Sequence, residues 1–262
     1  VWDWWHVPGQ YTALRTPAWT YFPRALYARF HRGLVAWGRE ILGCHDISPP
    51  WLSCYVEGCR QELHGDLPHG PFAFVYSLTR WRGRRFRGGE TMLLRDAVLA
   101  MWSDFESVRG VEEGDLVRSI EPRFGRLVVF DPRVPHGVRE VRGTQDPREG
   151  RLVIHGWFVQ PRPFVAGPVR LAAVSERIAE LGAALPGVVD VPLAGLVSLR
   201  AEVAASGAVR RVTVLADTTR VAPEHERGRR RAVAAVARAV GAWRLPRARG
   251  PSRITLPIVF ER

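Results

Sequence analysis

Lysine and asparagine are missing from this 262-residue chain, so all 38 basic residues are arginine. Codon bias in a GC-rich, bacterial genome accounts for that, and no function is read from it. Cysteine is scarce: Cys44, Cys54 and Cys59 are too few, and odd in number, for a disulfide framework, and no paired CxxC spacing offers a cysteine metal site. Free thiols suit a reducing compartment, and the cytoplasm is the expected location. No run approaches the roughly 18 apolar residues of a membrane span, and no charged, apolar, small-residue signal segment opens the chain. A first residue of Val1 rather than Met leaves the possibility of a lost leader open.

Acidic residues are the other shortage, and they leave a formal charge of +12. Up to Ala166 there are 22 arginines against 18 acids, whereas Gly167 to Arg262 has 16 against 8, which concentrates the positive field in the last third. The length allows a sizeable core in one large or two smaller domains. The opening "VWDWWHVPGQYTALRTPAW" is aromatic and proline-punctuated without a clear period, and reads as an irregular arm packed over the core or as an interaction surface. From Pro23 to Leu42, residues Leu26, Phe30, Leu34 and Ile41 recur at helical spacing, with proline at the start and Gly43 at the end. That predicts a buttressing helix.

Composition changes after "FVQPRPFVAGP", which predicts a linker and a division into 1–166 and 167–262. Beyond it the pattern predicts a helix over 169–183, strands at "LVSLRAEVA" and "VRRVTVLAD" joined by a Ser206-Gly207 turn, and an amphipathic helix bearing Val233, Val236, Ala237, Val240 and Trp243. A strand at "RITLPIVFE" closes it. This is a small α+β domain without a catalytic constellation.

In the first part, His64-Gly65-Asp66 sits in strand-like sequence. Side chains two apart on a strand point the same way, so His64 and Asp66 share a side while Gly65 keeps the neighbourhood uncrowded. His136 follows far along the chain, at the end of the apolar run "GRLVVFD" and beside Pro132 and Pro135, which predicts a buried strand running into a tight turn. Two imidazoles and one carboxylate on one face of a metal leave positions open for co-substrate and oxygen, as in non-haem Fe(II) centres. Arg151 precedes the alternation Val153, His155, Trp157, and its two-pronged guanidinium can grip a carboxylate. Each piece alone has an ordinary reading as surface polarity, a core histidine or a solvated charge; the joint pattern points to oxidation chemistry.

These residues lie in a stretch, "ELHGDLPHGPFAFVYSLTRW", "FRGGETMLL", "IEPRFGRLVVFDPRVPHGVREV" and "GRLVIHGWF", that resembles the Fe(II)/2-oxoglutarate-dependent dioxygenases of the prolyl-hydroxylase type over about 51–159. The resemblance implies a mainly β fold, a double-stranded β-helix or jelly roll with buttressing helices. It implies His64, Asp66 and His136 as iron ligands and Arg151 as partner of the distal carboxylate of 2-oxoglutarate. It implies Tyr55 and Trp157 as pocket walls. Fe(II), 2-oxoglutarate and O2 would be required, with ascorbate a candidate reductant. Residues 193–262 are similar, more faintly, to the C-terminal domain of TonB-like proteins.

Departures from the family pattern matter as well. Where relatives carry "YYLN" the chain has Tyr76-Ser77-Leu78-Thr79, so Ser77 either supplies a hydroxyl to 2-oxoglutarate or that contact is lost. His155 stands where small or hydroxylated residues are usual and reads first as a hydrogen-bonded strand histidine. The intact Asp66 argues against a halogenase. The resemblance implies hydroxylation of an unactivated C–H bond, in a prolyl or other residue of a peptide or protein, with release of succinate and CO2. The alternatives are a free amino acid or natural product as substrate, or a jelly roll that binds a ligand without turnover and serves as an interaction module. The basic loop "WRGRRFRG", with Arg82, Arg84, Arg85 and Arg87, is placed beside the predicted mouth of the site, either as a lid or as a solvated hairpin tip. The acidic run at 103–115 reads as a solvated excursion or a partner site. The basic C-terminal module is a candidate surface for a protein partner; its arginine run 229–231 points only weakly to nucleic acid.

Overall fold

The structure, a computed structural model, describes residues 1–66, 69–96, 98, 112–187 and 189–260. Its contacts divide the chain into two compact units, one of Val1–His31 with Ile47–Val159 and one of Arg32–Asp46 with Gln160–Arg262.

The first unit is mainly β. The hairpin β1 (Asp3–Val7) and β2 (Tyr11–Pro17) is followed by a single helical turn, α1 (Ala18–Tyr21), and the start of helix α2 (Arg24–Ile41). After β3 (Cys44–Ile47) come β4 (Trp51–Tyr55), β5 (Arg60–His64), β6 (Phe72–Ser77) and β7 (Thr91–Leu94). The set is completed by β8 (Val117–Ile120), β9 (Leu127–Phe130), β10 (His136–Val138) and β11 (Arg151–Pro161). These eleven strands form one curled antiparallel sheet, nine of them in the order β8-β7-β10-β5-β2-β4-β11-β6-β9, with β1 added on β2 and β3 on β11, and the fold is a jelly-roll type.

The opening segment is not an irregular arm. It turns at Gly9, whose φ of 72° suits glycine, and the amide of Gln10 donates to the Val7 carbonyl at 3.0 Å. β2 then pairs with both β5 and β4 and joins the two halves of the sheet. Tyr11, Ala13 and Arg15 alternate toward the concave side, a period-2 signal that the surrounding tryptophans and prolines hide. In the first unit, Phe30 on α2 packs its ring 5.2 Å from that of Tyr76, whereas Leu26, expected in the apolar stripe, is 45% exposed.

Of the acidic run at 103–115, residues 103–111 lie outside the described residues. The remainder forms a capping box at the start of α3 (Glu113–Leu116), in which the Glu112 amide donates to the Asp115 carboxylate at 3.0 Å.

The second unit is a four-stranded antiparallel sheet of order β12-β15-β13-β14, made by β12 (Phe164–Ala166), β13 (Gly195–Val203), β14 (Val209–Asp217) and β15 (Ser252–Phe260). Val174 and Leu181 of α4 (Leu171–Ala184) and Val233, Val236 and Val240 of α5 (Glu226–Gly241) are buried against Leu199, Ile254 and Leu256. The β13–β14 turn needs Gly207: its φ is +87°, and a Cβ there would lie 1.8 Å from the Leu245 carbonyl oxygen. Residues 32–46 group with this unit because the Ser198 and Thr255 hydroxyls donate to the Leu42 and Glu40 carbonyls at 2.7 and 2.6 Å. Among the described residues no helix is long and apolar enough to cross a membrane.

Candidate functional site

Strand pairing brings the distant histidines together. In the antiparallel β5–β10 ladder His136 stands directly opposite His64, and the two rings lie 4.5 Å apart. The strands can approach because the next residue is Gly137, where a Cβ would sit 2.4 Å from the Gln61 carbonyl oxygen. The turn at Asp131–Val134, closed by a 3.0 Å bond from the Val134 amide to the Asp131 carbonyl, leads into His136. The Asp66 amide donates to the Pro132 carbonyl of that same turn at 2.9 Å, which fixes the carboxylate beside the imidazoles.

Each histidine presents the same nitrogen. Nδ1 of His64 lies 2.8 Å from the Glu62 carbonyl oxygen, and Nδ1 of His136 lies 2.9 Å from that of Val134. A carbonyl only accepts, so Nδ1 carries the proton and donates it, and each Nε2 keeps its lone pair. The Nε2 atoms face Asp66, at 3.2 Å for His136 and 3.5 Å for His64. Two ligands at right angles on a metal about 2.1 Å from each would be about 3 Å apart, so these separations suit one ion. All three ligand atoms lie within 4.8 Å of one another. Burial pushes the Asp66 carboxyl upward, but the two facing imidazoles outweigh it and hold the pKa well below the usual carboxylate range. Burial likewise lowers His64, yet the Asp66 contact leaves it raised.

The donors line a cavity of about 780 Å³ whose walls come from β2, β4, β5, β6 and β11. Arg151 lies in it, only 1% exposed, opposite Tyr55 in the β11–β4 register, with its guanidinium carbon 4.6 Å from the Tyr55 ring centroid. One guanidinium nitrogen donates to the Thr91 hydroxyl at 3.0 Å, while Nε and Nη1 are buried without a partner. Burial depresses the Arg151 pKa, with Tyr55 opposing, and burial raises that of the Tyr55 hydroxyl, with Arg151 opposing. A desolvated cation with two idle N–H groups costs free energy until an anion accepts from it. The donor set and this cation fit a ferrous ion with a carboxylate-bearing co-substrate.

Trp157 and Tyr55 line the cavity as expected, and the Trp157 ring lies 4.5 Å from that of His69, tilted by 35°. His155 also lines it and shares a 2.8 Å hydrogen bond with the Ser53 hydroxyl; burial, with help from the Arg151 charge, lowers its pKa to about 4. Ser77 does not line the cavity. Its hydroxyl donates to the Pro122 carbonyl at 2.6 Å and accepts from the Thr79 amide, so it has no free donor for a ligand. None of Arg82, Arg84, Arg85 and Arg87 lines the cavity: Arg84 lies on the Trp81 ring at 3.5 Å, and Trp81 and Phe86 pack into an apolar cluster that includes the cavity residues Ala13, Tyr55, Val138 and Val153. Sequence reasoning passed over Thr91, Gln61, Phe130, Trp5, Trp51 and Arg15, all of which line the cavity. For Arg15 a signal existed in the alternation of Tyr11, Ala13 and Arg15 on a strand.

Residues 50–159 match the model of the 2OG-Fe(II) oxygenase superfamily. Over that stretch the chain has the sequence pattern of a 2-oxoglutarate/Fe(II)-dependent dioxygenase, a class that uses Fe(II), 2-oxoglutarate and O2, and the His64, Asp66 and His136 donor set fits it. Among solved structures it is similar to a Pseudomonas putida prolyl-4-hydroxylase, at 20% identity and a TM-score of 0.40 over 60% of this chain and 77% of that one. It is also similar to a Trichoplax adhaerens prolyl hydroxylase in complex with a hypoxia inducible factor oxygen degradation domain peptide fragment, at 18% identity and a TM-score of 0.40 over 59% and 66%. A Burkholderia pseudomallei oxidoreductase of the 2OG-Fe(II) oxygenase family aligns at 15% identity and a TM-score of 0.40 over 60% and 71%. No curated protein matches the chain. The expected likeness of 193–262 to a TonB-like domain finds no support in these comparisons.

Proposed function

We propose that the chain hydroxylates an unactivated C–H bond of an amino-acid-type substrate, with His64, Asp66 and His136 holding Fe(II) and Arg151 receiving the distal carboxylate of 2-oxoglutarate. The observation that carries this reading is the convergence of three ligand atoms within 4.8 Å in the same cavity as a buried arginine with two unpartnered nitrogens. Bound Fe(II) with 2-oxoglutarate and O2 supplies the oxidation, in which succinate and CO2 are released as the substrate gains one oxygen atom. The chain's own residues orient and enclose. The Glu62 and Val134 carbonyls hold the two imidazoles in the ligating tautomer. Arg151, with Thr91 on one nitrogen, would take the co-substrate carboxylate in a two-pronged contact at the far end of the cavity. Trp157, Phe130 and Val75 give an apolar wall against which a pyrrolidine ring would pack. Ascorbate is proposed as the reductant that keeps the iron ferrous.

The first substrate reading is a prolyl or other residue of a peptide or protein, with the basic second unit as a candidate holding surface. A second reading, a free amino acid or natural product, is favoured by one observation: the arginines of the 82–87 loop do not line the cavity, whereas a second arginine, Arg15, does. The test is mass spectrometry of the iron-loaded protein with 2-oxoglutarate, in one arm with proline-containing peptides and in another with free amino acids. Gain of one oxygen, with matching succinate, is expected in one arm and must vanish in His64→Ala. Oxygen gain that survives loss of His64 would sink the assignment of the metal site.

A further inference from the structure

We propose that Arg15 is a substrate-binding residue, and that the substrate of the oxygenase site presents its own free carboxylate to it. This rests on the reading that Arg151 serves 2-oxoglutarate and asks what the other cavity cation does.

Arg15 is held by cation–π contacts rather than by an ion pair. Its guanidinium carbon lies 2.8 Å from the Trp5 ring centroid and 4.1 Å from that of Trp51, two indoles tilted 54° to each other. Indole faces attract a cation, and two of them hold it in place. Such contacts leave the N–H bonds, which all point outward in the plane of the group, to find acceptors. Nε is buried with no hydrogen-bond partner, and among the described residues no acidic side chain forms an ion pair with Arg15. Asp3 stands opposite it in the β1–β2 register without closing to ion-pair distance. Burial lowers the pKa of the group, with Tyr11 and Asp3 opposing.

Pairing places this cation on the same concave wall as the rest of the site. Arg15 is opposite Ser53 on β4, and Ser53 is opposite Val153 on β11, two positions from Arg151. Arg15 therefore starts about 10 Å across the sheet and about 7 Å along it from Arg151, in one cavity of about 780 Å³. Two guanidinium groups that far apart would serve two anions. One is provided by 2-oxoglutarate. The other has to come from the substrate, and a carboxylate satisfies a guanidinium edge with two parallel hydrogen bonds. The main chain of an internal peptide residue offers no carboxylate, so the substrate class is a free amino acid or similar small organic acid, or the C-terminal residue of a chain.

The test measures binding in the presence of metal and saturating 2-oxoglutarate without oxygen, by ligand-observed NMR. The probes are the common amino acids against their amides, and a short proline-ended peptide with a free against an amidated C terminus. The parent protein is expected to prefer at least one acid over its amide by tenfold or more. The small-molecule and peptide pairs tell which source of the carboxylate is used. Arg15→Gln, and Arg15→Met, which keeps bulk between the indoles, are expected to bring that ratio to about one while 2-oxoglutarate still binds. No acid preference in the parent, or a preference kept by both variants, would overturn the proposal. Loss of 2-oxoglutarate binding in both variants would also overturn it, because Arg15 would then be the co-substrate residue. A parent that takes up no 2-oxoglutarate at all would bring down the reading beneath it, and this one with it.

Discussion

At the residue scale the site is a matter of which polar groups are left without partners. Arg151 is the clearest case, because a planar guanidinium with Thr91 on one nitrogen and nothing on two others is shaped for a carboxylate. Arg151→Lys keeps the charge but not the two-pronged geometry. It is expected to raise the 2-oxoglutarate concentration for half-maximal turnover by roughly tenfold or more, about 1.4 kcal/mol, with metal affinity little changed. Titration with 2-oxoglutarate checks this, and equal requirements in both proteins would remove Arg151 from the role. His155 gives a second prediction. Its folded pKa of about 4 lies below the ordinary value near 6.5, so between those limits the unfolded chain binds a proton that the folded one refuses. Stability from this group is complete above pH 6.5 and falls as pH drops toward 4, by at most about 1.4 kcal/mol per pH unit. His155→Gln retains a partner for Ser53 without the titration, and its urea midpoints should decline less over that window; parallel declines would mean that His155 is already protonated in the fold.

At the scale of elements, the site depends on how closely β10 lies on β5. Gly137→Ala would put a Cβ against the Gln61 carbonyl, and either the strand moves or the register slips. A loss of about 1–3 kcal/mol is expected from such overpacking, together with weaker metal binding, because His136 is displaced from His64. Thermal melts and metal titration on the same sample check both, and unchanged metal affinity would show that the ladder tolerates the shift. Strands also set what could be read in advance. That His64, Asp66, His136 and Arg151 share one cavity was legible, because period-2 spacing and a proline-bounded apolar run are local signals. For Ser77 the sequence left two readings open, and its bond to the Pro122 carbonyl favours loss of the contact; no spacing rule ties that loop to it. That the loop arginines stay out of the cavity was not legible either: Trp81 and Phe86 pack into the apolar cluster of Ala13, Tyr55 and Val153, a tertiary choice invisible in a charge run. β2 was missed although it alternates, because "WDWW" and two prolines nearby swamp the pattern. The hairpin of the second unit was readable except for its two register shifts, since apolar alternation and Ser206-Gly207 are both local.

For the whole molecule, the decisive property is that a site built from β2, β4, β5, β10 and β11 spans chain positions from the first strand to the last of its sheet. A ligand bound there favours the folded first unit over any opened form, because the donors come together only when the sheet is complete. Binding one ion at a hundred times its dissociation constant adds about 2.7 kcal/mol to stability. Mn(II), a redox-silent stand-in for Fe(II), should therefore raise the melting temperature of the parent, and 2-oxoglutarate should raise it further only when metal is present if its chelating end depends on the ion. Asp66→Ala is expected to lose both increments, since it removes the carboxylate that faces both imidazoles. Arg151→Lys should keep the metal increment and lose much of the second. Differential scanning fluorimetry with and without a chelator reads all of these in one series. Equal metal-induced shifts in the parent and Asp66→Ala would place the ion outside the His64, Asp66 and His136 cluster, and a 2-oxoglutarate shift without metal would assign its binding to the arginines alone.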